Sequence, residues 1–310
     1  MKFFPRRAGL AIVLLLLVIS ASFISSHFLN PINILNVLRQ VALYGILGVG
    51  MTFVILTKGI DLSVGSTVAL VGVVGALLME RGVPIPLMIP ICLALGAVVG
   101  AVNGFGVSYW RIPAFITTLG TMVMVRGFAL MLADGGTVKP GKAAEDFFFL
   151  GGGYLFGIPT QIYVFVIVCI LAGVTLKLTP FGRAVYAVGS NEEAAHLSGV
   201  NVPLVTFGVY IIGGVLAALS GLIFLSRLSV GDPNSGLGLE LEAITIAVIG
   251  GASLFGGEGT VIGTIGGAMV LAIIANVLNL AGVSPFSQQV VKGAIIILAV
   301  LMETGRKARK

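Results

Sequence analysis

Thr179–Pro203 reads T-P-F-G-R-A-V-Y-A-V-G-S-N-E-E-A-A-H-L-S-G-V-N-V-P, a polar island between two apolar runs, Gln161–Leu178 and Leu204–Leu225. Each flank is long enough to cross a bilayer as a helix, which takes about 17–25 apolar residues. The island is therefore a connection between membrane spans. Ser190 precedes Glu193 by three residues, the spacing of a capping box that opens a helix. Gly199 stands where a left-handed residue would close it. The pattern predicts a helix of roughly two turns, with Ala194, Ala195 and Leu197 on one side and Glu192, Glu193 and His196 facing water or a partner. A short capped helix on a short tether suits docking; the same residues also fit a well-ordered surface loop.

Composition sets the class. Hydrophobic residues make up 57% of the chain and charged residues 10%, whereas soluble domains carry about a quarter charged. The apolar runs are too long and continuous for barrel strands, so the backbone must be satisfied within helices. The fold class is an all-α polytopic membrane protein, one transmembrane domain over 1–310. Its 44 glycines, about twice the usual ~7%, fit helices packed closely through small residues. Cys92 and Cys169 lie alone within separate apolar runs, which excludes a disulfide framework and a zinc site. The net charge of +6 comes from basic residues at span ends and the C-terminus, so it is no sign of nucleic-acid binding.

About ten spans are expected. The first follows K-F-F-P-R-R and extends to about Ser25, too long for a secretory leader. An amphipathic lead-in, Asn33–Arg39, precedes span two at Val41–Thr57; the next three begin near Leu62, Ile85 and Ile112. After the two flanks of the island come a short span near Ala243 and two more, near Thr260–Ala281 and Phe286–Met302. With the N-terminus inside, the inner segments carry Lys2, Arg6, Arg7, Lys58, Arg111, Lys177, Arg183, Arg306, Lys307, Arg309 and Lys310. The outer ones carry only Arg39, Arg81, Lys139, Lys142 and Arg227. This bias predicts cytoplasmic N- and C-termini, a cytoplasmic loop 179–203 and outer loops 134–159 and 226–242. Glycine ladders at Gly96, Gly100 and Gly104 and at Gly259, Gly263 and Gly267 each follow a span opening near an acidic residue, Asp61 or Glu240/Glu242. Spans 2–5 and 7–10 then run in opposite senses, the pattern of an inverted repeat.

No residues for covalent chemistry stand out. Gly136–Ala143 nearly matches a phosphate-binding loop, but Ala143 replaces the magnesium-binding hydroxyl and Pro140 removes an amide. His27 and His196 have no serine or cysteine in register. Any ATP hydrolysis must occur on another polypeptide. Polar groups at membrane depth are costly and often functional. Asp61, Asn103, Arg126, Asn276 and Lys292 are the candidates for a translocation pathway. Individually they also fit interfacial snorkelling or interhelical pairing.

The island, K-G-I-D-L-S-V-G-S at 58–66, A-V-I-G-G-A-S-L-F-G-G-E-G-T at 247–260 and N-G at 103–104 together resemble the ribose-type permeases, membrane subunits of bacterial carbohydrate-uptake ABC transporters. The resemblance covers residues 35 to about 305. It implies a multi-pass protein of the bacterial inner membrane with no cofactor of its own, ATP and Mg residing on a cytoplasmic ATP-binding subunit. A periplasmic sugar-binding protein, a second permease subunit (identical or related) and surrounding lipid complete the partner set. Carried over residue by residue, Gly182, Arg183, Gly189, Asn191, Glu192, Glu193, Ala194, Ala195 and Gly199 are the ATPase-coupling candidates. The solute implied is ribose or a related pentose or hexose. Autoinducer-like furanosyl compounds, nucleosides and branched-chain amino acids remain alternatives, as does a proton-coupled secondary transporter using Asp61, Glu240 or Glu242.

Overall fold

The computed structural model describes residues 6–307, and helices dominate them. In chain order these are α1 (Arg6–Ile24), α2 (Pro31–Leu56), α3 (Val64–Glu80), α4 (Ile85–Ser108), α5 (Ala114–Leu132), α6 (Ala143–Gly151), α7 (Thr160–Leu178), α8 (Pro180–Ser190), α9 (Glu192–Leu197), α10 (Val202–Leu228), α11 (Leu239–Ile249), α12 (Val261–Leu280) and α13 (Pro285–Lys307). A minimal hairpin, β1 (Tyr154–Leu155) with β2 (Ile158–Pro159), precedes α7. Residues 1–5 and 308–310 lie outside the described residues, and with them the inner charges Lys2, Arg309 and Lys310.

Six of these helices, α2, α4, α5, α7, α10 and α12, are long and apolar enough to cross a membrane. The remaining expected spans fall on α1, α3, α11 and α13. Of these, α3 has 17 residues and α11 only 11. At 1.5 Å per residue α11 is about 16 Å long, roughly half the ~30 Å hydrocarbon layer. The lead-in expected at Asn33–Arg39 is instead the first part of α2: the Asn30 side chain accepts from the Ile32 amide and Pro31 takes the first turn, so the helix starts there. The polar stretch 134–159 folds into α6 and the hairpin rather than a bare loop. Ser226 ties α6 to α10 by accepting from the Gly151 amide (2.7 Å) and donating to the Phe147 carbonyl (2.5 Å).

The core is built around α10, which packs against α2, α3 and α4. Its crossing with α4 is a contact of backbones. A Cβ on Gly100 would strike the Tyr210 carbonyl oxygen, and one on Gly214 would lie 2.9 Å from the Gly100 nitrogen. The second ladder has a different partner: Gly263 and Gly267 meet Gly250 and the Ile246 carbonyl at the end of α11. Gly259 precedes α12 and packs on Ala252. The two ladders are thus not equivalent positions. Helix packing nevertheless follows a repeated plan. α10 packs on α4 and α3 as α2 packs on α12 and α11, and α5 lies on α3 as α13 lies on α11.

Two chain breaks interrupt this bundle. Between α2 and α3, Lys58 turns the chain with φ +64° and Gly59 packs against the Tyr210 ring on α10. Between α10 and α11 the chain turns back along α3, with Gly231 against Gly72 and Gly236 against Gly65. The amino-terminal ends of α3 and α11 therefore approach each other inside the bundle, where a Cβ on Gly65 would strike the Glu240 carboxylate.

Gly100→Leu overpacks the α4–α10 crossing and should cost about 1–3 kcal/mol, read as a lower unfolding midpoint in detergent. Gly173→Ala on α7, where an added Cβ meets nothing within 4 Å, should leave the midpoint unchanged.

Candidate functional site: the α8–α9 platform

The polar island folds as two helices set on the end of the bundle. Thr179 begins α8: its hydroxyl accepts from the Gly182 amide (3.1 Å) and donates to the Thr175 carbonyl (2.6 Å) at the end of α7, and Pro180 occupies the first turn. Gly182 sits so near the Thr175 and Leu176 carbonyls that no Cβ fits. The buried face of α8 is Gly182, Val185, Val188 and Gly189, while Arg183 points outward. Gly189 is pressed against the Leu56 carbonyl and the Gly257 amide, which themselves bond at 2.9 Å. Gly256 and Gly257, both with positive φ, stack on Gly189 and Ser190. The ends of α2 and α8 and the α11–α12 turn thus meet at one backbone junction. Tyr186 ties α8 to the same turn through its hydroxyl on the Gly259 carbonyl (2.8 Å). Burial pushes its phenol above the ordinary value, so the donor proton is retained.

α9 is shorter than its surroundings suggest, and its cap is Asn191 rather than Ser190. Ser190 is still helical, so its hydroxyl bonds back to the Tyr186 carbonyl (2.8 Å). Asn191 has extended backbone (φ −154°), and its side chain accepts from the Ala194 amide (3.0 Å). The far end is as the sequence predicts. Gly199 has φ +83°, its amide bonds the His196 carbonyl, and the Val200 amide bonds the Ala195 carbonyl, the paired closure of a Schellman motif. Asn201 then caps α10 through the Leu204 amide (3.1 Å).

Of the three apolar residues expected to share a packed side, only Ala195 is buried, within the cluster that holds Leu56, Val185 and Val205. Leu197 is 80% exposed, and Ala194 is exposed as well. Six residues make too few turns to bury a stripe: Ala195 and the Gly199 turn hold the helix down, and the rest stands clear. Glu192, Glu193, His196 and Leu197 form an exposed ridge on a rigid base.

The candidate pathway residues do not gather in one place. Asp61 and Asn103 do meet: Asp61 Oδ1 accepts from the Ser63 amide (2.8 Å), the Ser63 hydroxyl (2.6 Å) and the Asn103 side chain (3.3 Å), all buried. Arg126 donates to the Pro233 and Ser235 carbonyls in the α10–α11 break. Asn276 exchanges hydrogen bonds with Asn33 (3.0 and 2.8 Å), joining α12 to α2. Lys292 pairs with Glu242, joining α13 to α11. Sequence reasoning missed Tyr210, fully buried in α10, whose hydroxyl donates to the Ile60 carbonyl (3.4 Å). A lone tyrosine inside an apolar run was the available signal.

Residues 33–300 match the family described as branched-chain amino acid transport system, permease component. The chain belongs to that family. The permease is 43% identical to the ribose import permease protein RbsC of Haemophilus influenzae over 94% of its own length and 91% of that protein. It is also 43% identical to RbsC of Bacillus subtilis, over 98% and 94% of the two chains. The xylose transport system permease protein XylH of Escherichia coli is 35% identical, over 91% and 87%. No solved structure matches the permease. The resemblance to ribose-type permeases read from its motifs is borne out.

Removing the α9 cap should loosen this element alone. Asn191→Ala is expected to cost about 1 kcal/mol locally, seen as faster amide hydrogen exchange over residues 192–198 with an unchanged global unfolding midpoint.

Proposed function

We propose that this chain is the membrane-embedded subunit of an ATP-driven monosaccharide importer in the bacterial cytoplasmic membrane, and that α8–α9 is where a separate ATPase subunit delivers its work. The observation that carries the reading is the ridge of α9 standing on a backbone junction shared by α2, α8 and the α11–α12 turn. A docked partner pushing on Leu197 and the two glutamates would move these elements together. The coupling residues divide accordingly: Gly182, Gly189, Ala195 and Gly199 fix the platform, and Arg183, Asn191, Glu192, Glu193 and Ala194 surround or form its outer face.

The proposed topology has about ten crossings, both termini and loop 179–203 cytoplasmic, and loops 134–159 and 226–242 outside to receive a solute-binding protein. Positive-inside bias supports the orientation. The exchange of packing partners between α2–α5 and α10–α13 supports an inverted repeat. A second permease copy, identical or related, completes the transporter. The relatives named for ribose and xylose favour a pentose. The family's own description makes branched-chain amino acids the second solute class.

Reconstitution of the permease with its ATPase and binding protein in vesicles tests this reading. Ribose or xylose uptake should require ATP and survive collapse of the proton gradient. Leu197→Glu should weaken ATPase docking by about 2 kcal/mol, roughly 30-fold in affinity, and Ala195→Asp should uncouple hydrolysis from uptake by placing a charge in the core. Solute accumulation by the permease alone would refute the proposal.

A further inference from the structure

Two cavities differ sharply in chemistry. One, of about 550 Å³, lies between α7, α8 and α12 and is walled by Phe165, Cys169, Ile170 and Val261, a surface suited to lipid chains. The other, of about 210 Å³, lies between α2, α11, α12 and α13 and is lined by Gln40, Tyr44, Glu242, Thr245, Gln288 and Lys292 among apolar neighbours. Its volume equals about seven waters at ~30 Å³ each, the scale of a monosaccharide rather than of a peptide.

Its placement and orientation matter as much as its size. Arg227 and Asn279, both exposed, stand at its mouth, at the ends of α10 and α12 away from the α8–α9 platform. From Asn279 to Leu271 the lining descends eight residues of α12, about 12 Å at 1.5 Å per residue. The cavity therefore opens on the outer side and reaches toward the middle of the bundle.

Its polar groups are pre-oriented. The Thr245 hydroxyl donates to the Leu241 carbonyl (2.6 Å), which leaves its oxygen an acceptor. The Gln288 amide nitrogen is held by Asn279 (2.8 Å) and the Val283 carbonyl (2.9 Å). Glu242 and Lys292 face one another with side chains 18% and 37% exposed, their charges cancelling. Holding such a pair at membrane depth costs desolvation that apolar contacts between α11 and α13 would avoid. Together the wall offers a carboxylate, an ammonium, amides, a hydroxyl and an aromatic ring to a neutral guest, which is the chemistry that recognises vicinal hydroxyls.

We propose that this cavity is a transit site for a neutral, monosaccharide-sized polyol, with Glu242 accepting from and Lys292 donating to its hydroxyls. The proposal rests on the importer reading above. It makes the permease a second point of solute selection, beyond its binding protein.

The test uses the complete complex in vesicles, with ribose, xylose and leucine as the solutes. Ala275→Trp fills the cavity from α12 and should lower ribose uptake at least about tenfold in a complex that still co-purifies with its ATPase. Exchanging the ion pair, Glu242→Lys with Lys292→Glu, should restore the unfolding midpoint lost in either single variant without restoring uptake. Thr245→Cys should react with a charged, impermeant thiol reagent from outside, and ribose should slow that reaction where leucine does not. Normal uptake by Ala275→Trp, or by the exchanged pair, overturns the transit site. If Ala275→Trp fails to assemble, the labelling decides: protection by ribose supports the site, and its absence, or protection by leucine, overturns it. Failure of the wild-type complex to import either pentose would instead overturn the importer reading.

Discussion

A helix can break inside hydrocarbon only where other groups satisfy the backbone that the break sets free. The same demand arises in this chain at the α2–α3 and α10–α11 connections, which fold back into the packed bundle. In the first, Asp61 accepts the Ser63 amide, while Thr118 and Tyr210 donate to the Ile60 carbonyl. In the second, Arg126 holds the carbonyls of Pro233 and Ser235. Without these partners each freed group would cost several kcal/mol in an apolar interior. The half-length helix α11 exists because its first turn begins where such a supported segment ends.

That constraint explains which parts of the fold were legible in the sequence. The long apolar runs gave the spans, and Gly199 gave the closure of α9, because both signals are local. Ser190 was misleading: its spacing to Glu193 is right for a cap, yet α8, with Gly182, Val185, Val188 and Gly189 on its buried face, runs through Ser190 and leaves the cap to Asn191. α8 itself hides in a polar island because its buried face is built from two valines and two glycines that sequence periodicity barely registers. The roles of Arg126, Asn276 and Lys292 could not be read at all. Their partners lie 107 residues away for Pro233, 243 for Asn33 and 50 for Glu242. Nothing local names them.

The polar cavity was illegible for a related reason. Gln40, Glu242, Thr245 and Lys292 come from three separate stretches of sequence, and only the packing of α11 and α12 against α2, and of α13 against α11, makes them neighbours. Small residues are the common enabling factor. Where Gly100 meets Gly214, and Gly263 meets Gly250, backbones touch, and the close crossings leave room for chain breaks and cavities elsewhere.

The junction of Gly189 with Leu56 and Gly257 is made of backbone groups, so a side chain added at Gly189 could not tune it without forcing it open. On the proposed docking role of α9, adjustment to a motor subunit falls to its outward side chains, Glu192, Glu193, His196 and Leu197, while the gearing beneath is left alone. Drive subunits could therefore be exchanged between related transporters by rewriting a handful of surface letters, with the transmission left untouched.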